Sequence, residues 1–362
     1  MIPLRTAVIG TGHLGRIHAK LAAEAPHIDL VAIVDVSEEA RNRVASEFGT
    51  RPVADYRQLL GEIEGAIVAT PTVHHFQVAS DLLNAGIHVL VEKPITTTVD
   101  EATALVSLAD QRNLVLQVGH VERFNPGLEC VADRLHDARY LQASRTSGFT
   151  FRSTDIGVVM DLMIHDIDIV LSIVPSPVVE VAAMGLSVLT PHEDMAQAQL
   201  RFANGCQAQL TASRVSYVPS RWLQVYSPRG FAHVDFANRK GTLVEPTEEV
   251  RARRFDIGNL TAEQTAHLRD HLFEELLVKQ EIEPPATNAI AEEHRDFVTS
   301  IRQGHQPRVP GRAGRDALEV AELVLDSIAH HRWDGTSHGR IGPAALPQRP
   351  GGVWMPTHRK AG

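Results

Sequence analysis

The chain has 362 residues, a formal net charge of −9, 43% hydrophobic and 22% charged residues, and two cysteines, Cys130 and Cys206. That length accommodates two domains of ordinary globular composition, and the negative charge leaves no basic footprint for nucleic acid. Two distant cysteines outside any CxxC spacing argue against a disulfide framework or a zinc ribbon, and no apolar run approaches the roughly 20 residues that span a bilayer.

The start, MIPLRTAVIG, runs straight into an apolar strand with no signal-peptide layout, so a cytoplasmic location is expected. RTAVIGTGHLGRIHAKLA reads as strand, glycine turn and helix: Thr6 to Ile9 form a β-rich run, and Gly10, Gly12 and Gly15 supply GxGxxG. The first glycine permits a tight turn and the second lets backbone approach a pyrophosphate. The third lets the helix pack close to the strand, with the helix N-terminus facing the phosphates. Thr11, His13 and Leu14 belong to the same loop and are counted with the cofactor site. The next strand, LVAIVDV, ends in Asp35, twenty residues beyond Gly15, which is the context the motif requires. A carboxylate there accepts from both ribose hydroxyls and repels a 2′-phosphate, and the nearest arginine is Arg41, so the expected cofactor is NAD rather than NADP.

GAIVAT (65 to 70) and IHVLVEK (87 to 93) are short apolar strands, with a helix near HFQVASDLLNAG between them that Gly86 stops. A helix with a Thr98/Glu101 capping box and an apolar face of Val99, Ala102, Val106 and Ala109 leads into LVLQVGH (114 to 120), another strand. Alternating units of this kind predict a doubly wound parallel sheet with ligand at the carboxyl ends of its strands. Three of those ends carry unusual chemistry: ATPTVHH at 69 to 75, EKP at 92 to 94 and GHVERFNP at 119 to 126. Thr70, Pro71, His74, Glu92 and Lys93 are therefore expected to border the cofactor. Lys93, followed by a proline of fixed backbone angle, reads as a functional amine rather than a surface charge.

From about residue 139 the pattern becomes antiparallel. VVMDLMIHDIDIVLS (158 to 172) predicts a buried helix, yet Asp161, His165 and Asp168 interrupt it along one stripe. Asp168 is expected to order local structure. AQAQLRFANGCQAQLTASR predicts a hairpin at Asn204-Gly205, with Ala196, Ala198, Leu200, Phe202, Cys206, Ala208, Leu210 and Ala212 on the apolar face and glutamines on the other. Residues 178 to 189, 221 to 227 and 231 to 236 read as further strands, and the polar face as a surface for subunit contact. Residues 250 to 279 form a charged, partly helical excursion, in which HLRDH (His267, His271) lacks the glutamate of HExxH, so no metal is expected there. No ligand spacing demands a metal at Asp161, His165 and His120 either. Residues 286 to 304 and 314 to 331 read as helices, and the tail beyond Trp333 as flexible or wrapping a neighbour. The expected division is an NAD-binding Rossmann domain over 1–122, an α+β domain on an open, largely antiparallel sheet over 123–332 for substrate and oligomerisation, and a tail over 333–362.

A Rossmann half bearing ATPTxxH and EKP, followed by an antiparallel half with DxxxHDID, resembles the Gfo/Idh/MocA oxidoreductase family from Ala7 to about Ile328. The resemblance implies that Lys93, Asp161 and His165 converge on the nicotinamide as the catalytic set. GHVERFNP, SGFTFRSTDIG and DLMIHDIDIVLS look like a narrower branch, the UDP-N-acetylglucosamine 3-dehydrogenases of amino-sugar lipid A synthesis. The helix is preceded by STDIGVV instead of the doubled glycine usual in the wider family. The implied reaction is NAD-dependent oxidation of a nucleotide sugar at C3, in a homodimer or homotetramer formed through the second sheet. A dehydrogenase of a free polyol or inositol and a non-catalytic NAD sensor are the alternatives, and the sensor is disfavoured because it needs no base. In the oxidation a histidine suits the proton and a cationic lysine suits developing alkoxide charge, with the division of work between Lys93 and His165 left open. For a diphosphate, Arg123, Arg145 and Arg152 are the candidate cations, and His120 is the candidate for sugar hydroxyls.

Overall fold

The computed structural model describes residues 2–151, 154–334 and 336–345. Strands β1 (Leu4–Ile9), β2 (Ile28–Val34), β3 (Arg51–Val53), β4 (Gly65–Val68), β5 (His88–Glu92) and β6 (Leu116–Gly119) form one parallel sheet in the order β3-β2-β1-β4-β5-β6. Strand order reverses between β1 and β4, so a crevice opens at the carboxyl ends of those two strands. Helices α1 (His13–Glu24), α2 (Glu38–Phe48), α3 (His75–Asn84) and α4 (Val99–Arg112) make the crossovers. Thr98 caps α4 by accepting from the Glu101 amide, and the Glu101 carboxylate accepts from Thr97 instead of Thr98, so the expected box closes one residue early. Continuous apolar runs such as Ala66 to Val68 and Val89 to Val91 are buried on both faces, as a covered parallel sheet requires.

The second sheet contains β7 (Tyr140–Thr146), β8 (Val178–Ser187), β9 (Met195–Phe202), β10 (Gln207–Ser213), β11 (Ser220–Ser227), β12 (Gly230–Asp235), β13 (Lys240–Pro246), β14 (Leu277–Ile282) and β15 (Ala344–Ala345). Its order is β14-β13-β12-β11-β7-β10-β9-β8-β15. All pairs are antiparallel except β7 with β10 and β8 with β15. The β9–β10 hairpin turns at Gly205, whose φ of +85° a side chain would resist. The eight hairpin positions expected on the apolar face are fully buried. They pack, with Leu141 and Val225, under a helical segment over 159–173 and the helix Gly311–His330.

The 159–173 segment is not a uniform α-helix. Val159–Met163 winds as a π-helical turn and Ile164–Ile173 as α-helix. Asp161 therefore sits in the wide turn and His165 just after it; such turns recur at functional sites. The helix Ala289–Gln303, although it follows the second sheet in sequence, packs on the first: Phe297 and Val298 join Leu4, Val8, Ile67 and Leu90 in one buried cluster. Within the tail, Trp333 Nε1 donates to the Gly342 carbonyl at 2.9 Å, and Ala344 and Ala345 pair with β8. Residues 346–362 lie outside the described residues. No described helix is long and apolar enough to cross a membrane.

Candidate active site

The glycine loop joins β1 to α1, and its three glycines do three different things. Gly10 has φ +97°, and a side chain there would lie 2.5 Å from the Ala69 carbonyl oxygen. A Cβ on Gly15 would lie 2.0 Å from the Gly10 carbonyl oxygen, so helix and loop pack at backbone contact. Gly12 faces open space, and as N-cap of α1 it brings no capping side chain. The first amides of α1 are thus left to an anion, with His13 and Leu14 exposed beside them. At the end of β2, Asp35 accepts from the Thr11 amide (2.8 Å) and hydroxyl (2.6 Å) and from the Ser37 amide (2.8 Å). Burial works against its charge, but these donors and Arg41 more than offset it and hold the carboxyl below its usual range, ionised at neutral pH. Beyond β4, Pro71 and His74 are exposed and the buried Thr70 hydroxyl finds no protein partner. An open glycine, uncapped amides, an ionised ribose acceptor and an orphaned hydroxyl fit a dinucleotide.

Lys93 and the helical segment meet. The Lys93 ammonium lies 2.7 Å from the Asp161 carbonyl oxygen and 3.3 Å from its carboxylate, with the side chains 13% and 27% exposed. A charge-assisted contact to both acceptors fixes the amine from two directions. His165, half-buried, stands edge-on to His120, ring centroids 6.1 Å apart. Burial pushes His165 well below the ordinary imidazole range, and Lys93, Arg145, His120 and Arg221 push the same way. Burial also lowers His120, against a smaller opposing pull from Asp168. Both imidazoles are therefore neutral at pH 7 and able to accept a proton. Both ring nitrogens of His120, Nδ1 of His165 and Oδ2 of Asp168 are buried without a hydrogen-bond partner. Such groups are costly to leave unpaired, and two of the residues, His120 and His165, are neighbours.

One expectation needs correction, and two further side chains have partners that the sequence did not announce. Arg145 is not a free fork: it is buried, paired with Asp166 at 2.8 Å and Glu122 at 2.7 Å, and stacked over Phe236. Burial opposes its charge, yet the two carboxylates hold its protonation range above normal. Arg123 donates to Asp168 (3.3 Å) and to the Arg308 carbonyl (3.2 Å), and rims a cavity of about 420 Å³ with Leu128, Glu129, His136, Ser172 and Arg308. Lys93, Asp161 and His165 take no part in that cavity. Glu92 meets His18 through one carboxylate oxygen and accepts from the Lys93 amide with the other. Arg152 lies outside the described residues. His267 is exposed, paired with Glu275 and stacked on His271; among the described residues no group of three His, Cys, Asp or Glu is arranged for a metal.

Three residues escaped the sequence. Asp166 is the buried partner of Arg145 and sits between the stripe positions. His75 ties two cofactor loops together through the Thr70 and Pro94 carbonyls, 2.9 Å each. Arg221, half-exposed on β11 opposite Arg145, is a cation that acts on His165. Only the alternation of RWLQVYS pointed outward at Arg221, and nothing there marked it as near a catalytic histidine.

A family model described as an oxidoreductase family with an NAD-binding Rossmann fold matches residues 4–120, and one for the GFO/IDH/MocA C-terminal domain matches residues 130–233. The chain belongs to the Gfo/Idh/MocA oxidoreductase family. As a member it is an oxidoreductase with NAD as cofactor. It is 37% identical over 329 residues to a UDP-N-acetylglucosamine 3-dehydrogenase of Acidithiobacillus ferrooxidans, covering 91% of this chain and 98% of that one. A solved structure of UDP-N-acetylglucosamine 3-dehydrogenase from the same organism matches with TM-score 0.78 at 34% identity, over 90% of this chain and 98% of the other. The scyllo-inositol dehydrogenase of Lactobacillus casei, solved with bound NAD(H) and scyllo-inositol, shares the fold of this Gfo/Idh/MocA member at TM-score 0.70 and 20% identity, over 90% and 96% of the two chains.

Proposed function

We propose that the chain oxidises a nucleotide sugar, UDP-N-acetylglucosamine at C3, to the 3-keto sugar. The observation that carries this is the meeting of Lys93 and Asp161 beside a neutral His165, in a chain alike over 91% of its length to an enzyme named for that reaction. NAD supplies the hydride acceptor. The first amides of α1 would hold its phosphates, and Asp35 would hold its ribose. His165, neutral, takes the hydroxyl proton as the C–H electron pair departs, and the Lys93 ammonium, steadied by Asp161, stabilises the developing alkoxide. His120, with two unpartnered nitrogens, holds a neighbouring sugar hydroxyl. Arg221 takes the diphosphate role that Arg145 is too buried to fill.

The keto product is what an aminotransferase converts to an amine, which links this activity to amino-sugar lipid A synthesis in the cytoplasm. Subunit contact runs over the glutamine-rich face of the second sheet. The test is incubation with NAD and a panel of UDP-sugars, following absorbance of reduced nicotinamide. UDP-N-acetylglucosamine should be the best substrate. Saturation by a free polyol or inositol, with no gain from a UDP-sugar, would reject the nucleotide-sugar assignment.

A further inference from the structure

Behind Lys93 runs a buried chain that the chemistry above does not use. His18 on α1 approaches Glu92 Oε1 through Nε2 at 2.7 Å, and its Nδ1 lies 2.8 Å from Nε2 of His294 on the helix Ala289–Gln303. The other Glu92 oxygen accepts from the Lys93 amide at 3.2 Å. His18 and His294 are fully buried and Glu92 is 8% exposed. Buried ionisable chains of this kind contribute little to stability compared with apolar side chains of equal volume, so stability alone does not explain them. With Glu92 ionised, His18 Nε2 carries the proton it donates, and a singly protonated His18 then accepts at Nδ1 from His294 Nε2. In that tautomer His294 Nδ1 carries no proton, and it has no hydrogen-bond partner. Every hydrogen bond in the chain thus points toward Glu92. It joins the phosphate-facing helix, the strand that ends at Glu92 just before Lys93, and the returning C-terminal helix.

We propose that His18 and His294 are positioning residues: they hold the Glu92 carboxylate, which fixes the backbone of Lys93 so that its ammonium meets Asp161. The proposal rests on Lys93 being catalytic. His18→Leu should lower kcat roughly 10- to 100-fold, the scale of a small misplacement of a reacting group, and change NAD affinity in a fluorescence titration by less than about threefold. His18→Gln, which keeps a donor for Glu92, should stay within about fivefold of wild type, the scale of one lost hydrogen bond. A second readout needs no substrate: acetylation of Lys93, followed by mass spectrometry, should be severalfold faster in His18→Leu because the loosened amine leaves Asp161. A wild type that oxidises no sugar would defeat the proposed function and leave this comparison in force. If His18→Leu does not fold, His294→Leu, which spares the Glu92 contact and removes only its support, carries the same comparison. Folded leucine variants with wild-type Lys93 acetylation and wild-type kcat overturn the proposal, as does a loss confined to the KM for NAD.

Discussion

The protonation state of His165 has a direct kinetic signature. An imidazole at its ordinary pKa of about 6.5 is roughly 97% neutral at about pH 8 and roughly one quarter neutral at about pH 6, so a rate that needs the neutral form drops about fourfold between them. His165 is depressed well below that value by burial, then by Lys93, Arg145, His120 and Arg221. It therefore stays neutral across this range, and kcat/KM should be nearly flat from about pH 8 to about pH 6. Replacing His165 with Ala should remove the base and cost about 10²- to 10⁴-fold in kcat/KM. NAD affinity should not change, because Gly10, Gly12 and Asp35 belong to the other end of the crevice. Initial rates of nicotinamide reduction over about pH 5.5 to 8.5, for wild type and His165→Ala, measure both effects. An acid limb with its midpoint at or above about 6.5 would show that His165 is not depressed. Wild-type kcat/KM in His165→Ala would show that it is not the base.

Asp35→Ala removes the acceptor of both ribose hydroxyls; losing hydrogen bonds to a charged group, roughly 1.5–3 kcal/mol each, weakens NAD by at least about 10-fold by calorimetric titration. Arg145→Met leaves Asp166 buried without its cation and Glu122 with only Arg221 at 3.8 Å, and urea unfolding should register a loss of about 3–5 kcal/mol. The fold should also lose stability on acidification. His120 and His294 are both lowered by burial, so below the unfolded imidazole value of about 6.5 the unfolded chain binds protons that the native one refuses. Each contributes a loss of up to about 1.4 kcal/mol per pH unit, from about 6.5 down to its folded value, seen in urea midpoints at stepped pH. Glu293 has the opposite sign. Burial, then Glu92 and Asp296, raise it well above the ordinary carboxylate range, so the native state keeps a proton that the unfolded chain loses above 4.5. The Glu293 contribution to stability therefore declines as pH rises from 4.5 towards the folded value, opposite to the histidines, and Glu293→Gln should gain stability over wild type near neutral pH and little of it below 4.5.

The sequence carried the local features and missed those that need tertiary contact. GxGxxG, the strand ends and the hairpin alternation are written in spacing and period, and the first sheet and the buried face of the second follow from them. Lys93 and the Asp161–His165 stripe stood out because ionisable groups interrupt apolar runs. Arg145 was misjudged because an arginine on an alternating strand looks the same whether it faces solvent or two buried carboxylates 21 and 23 residues away. The π-turn at Val159–Met163 adds no residue type that a helical pattern would exclude. Strand β7 takes a parallel partner, β10, more than sixty residues later, and no local signal specifies that pairing. The His18–Glu92–His294 chain joins three segments and was invisible for the same reason: Glu92 stood out at its strand end, but His18 and His294 look like ordinary residues of a helix.

The central claim is that an ammonium from the first sheet and an imidazole from the helical segment meet at a single carbinol. A crystal structure of the complex with NADH and UDP-N-acetylglucosamine, in which hydride transfer is blocked, tests it most directly. The sugar C3 oxygen should lie within about 3.2 Å of both Lys93 Nζ and a ring nitrogen of His165. A sugar that binds with that oxygen in reach of neither group would contradict the claim.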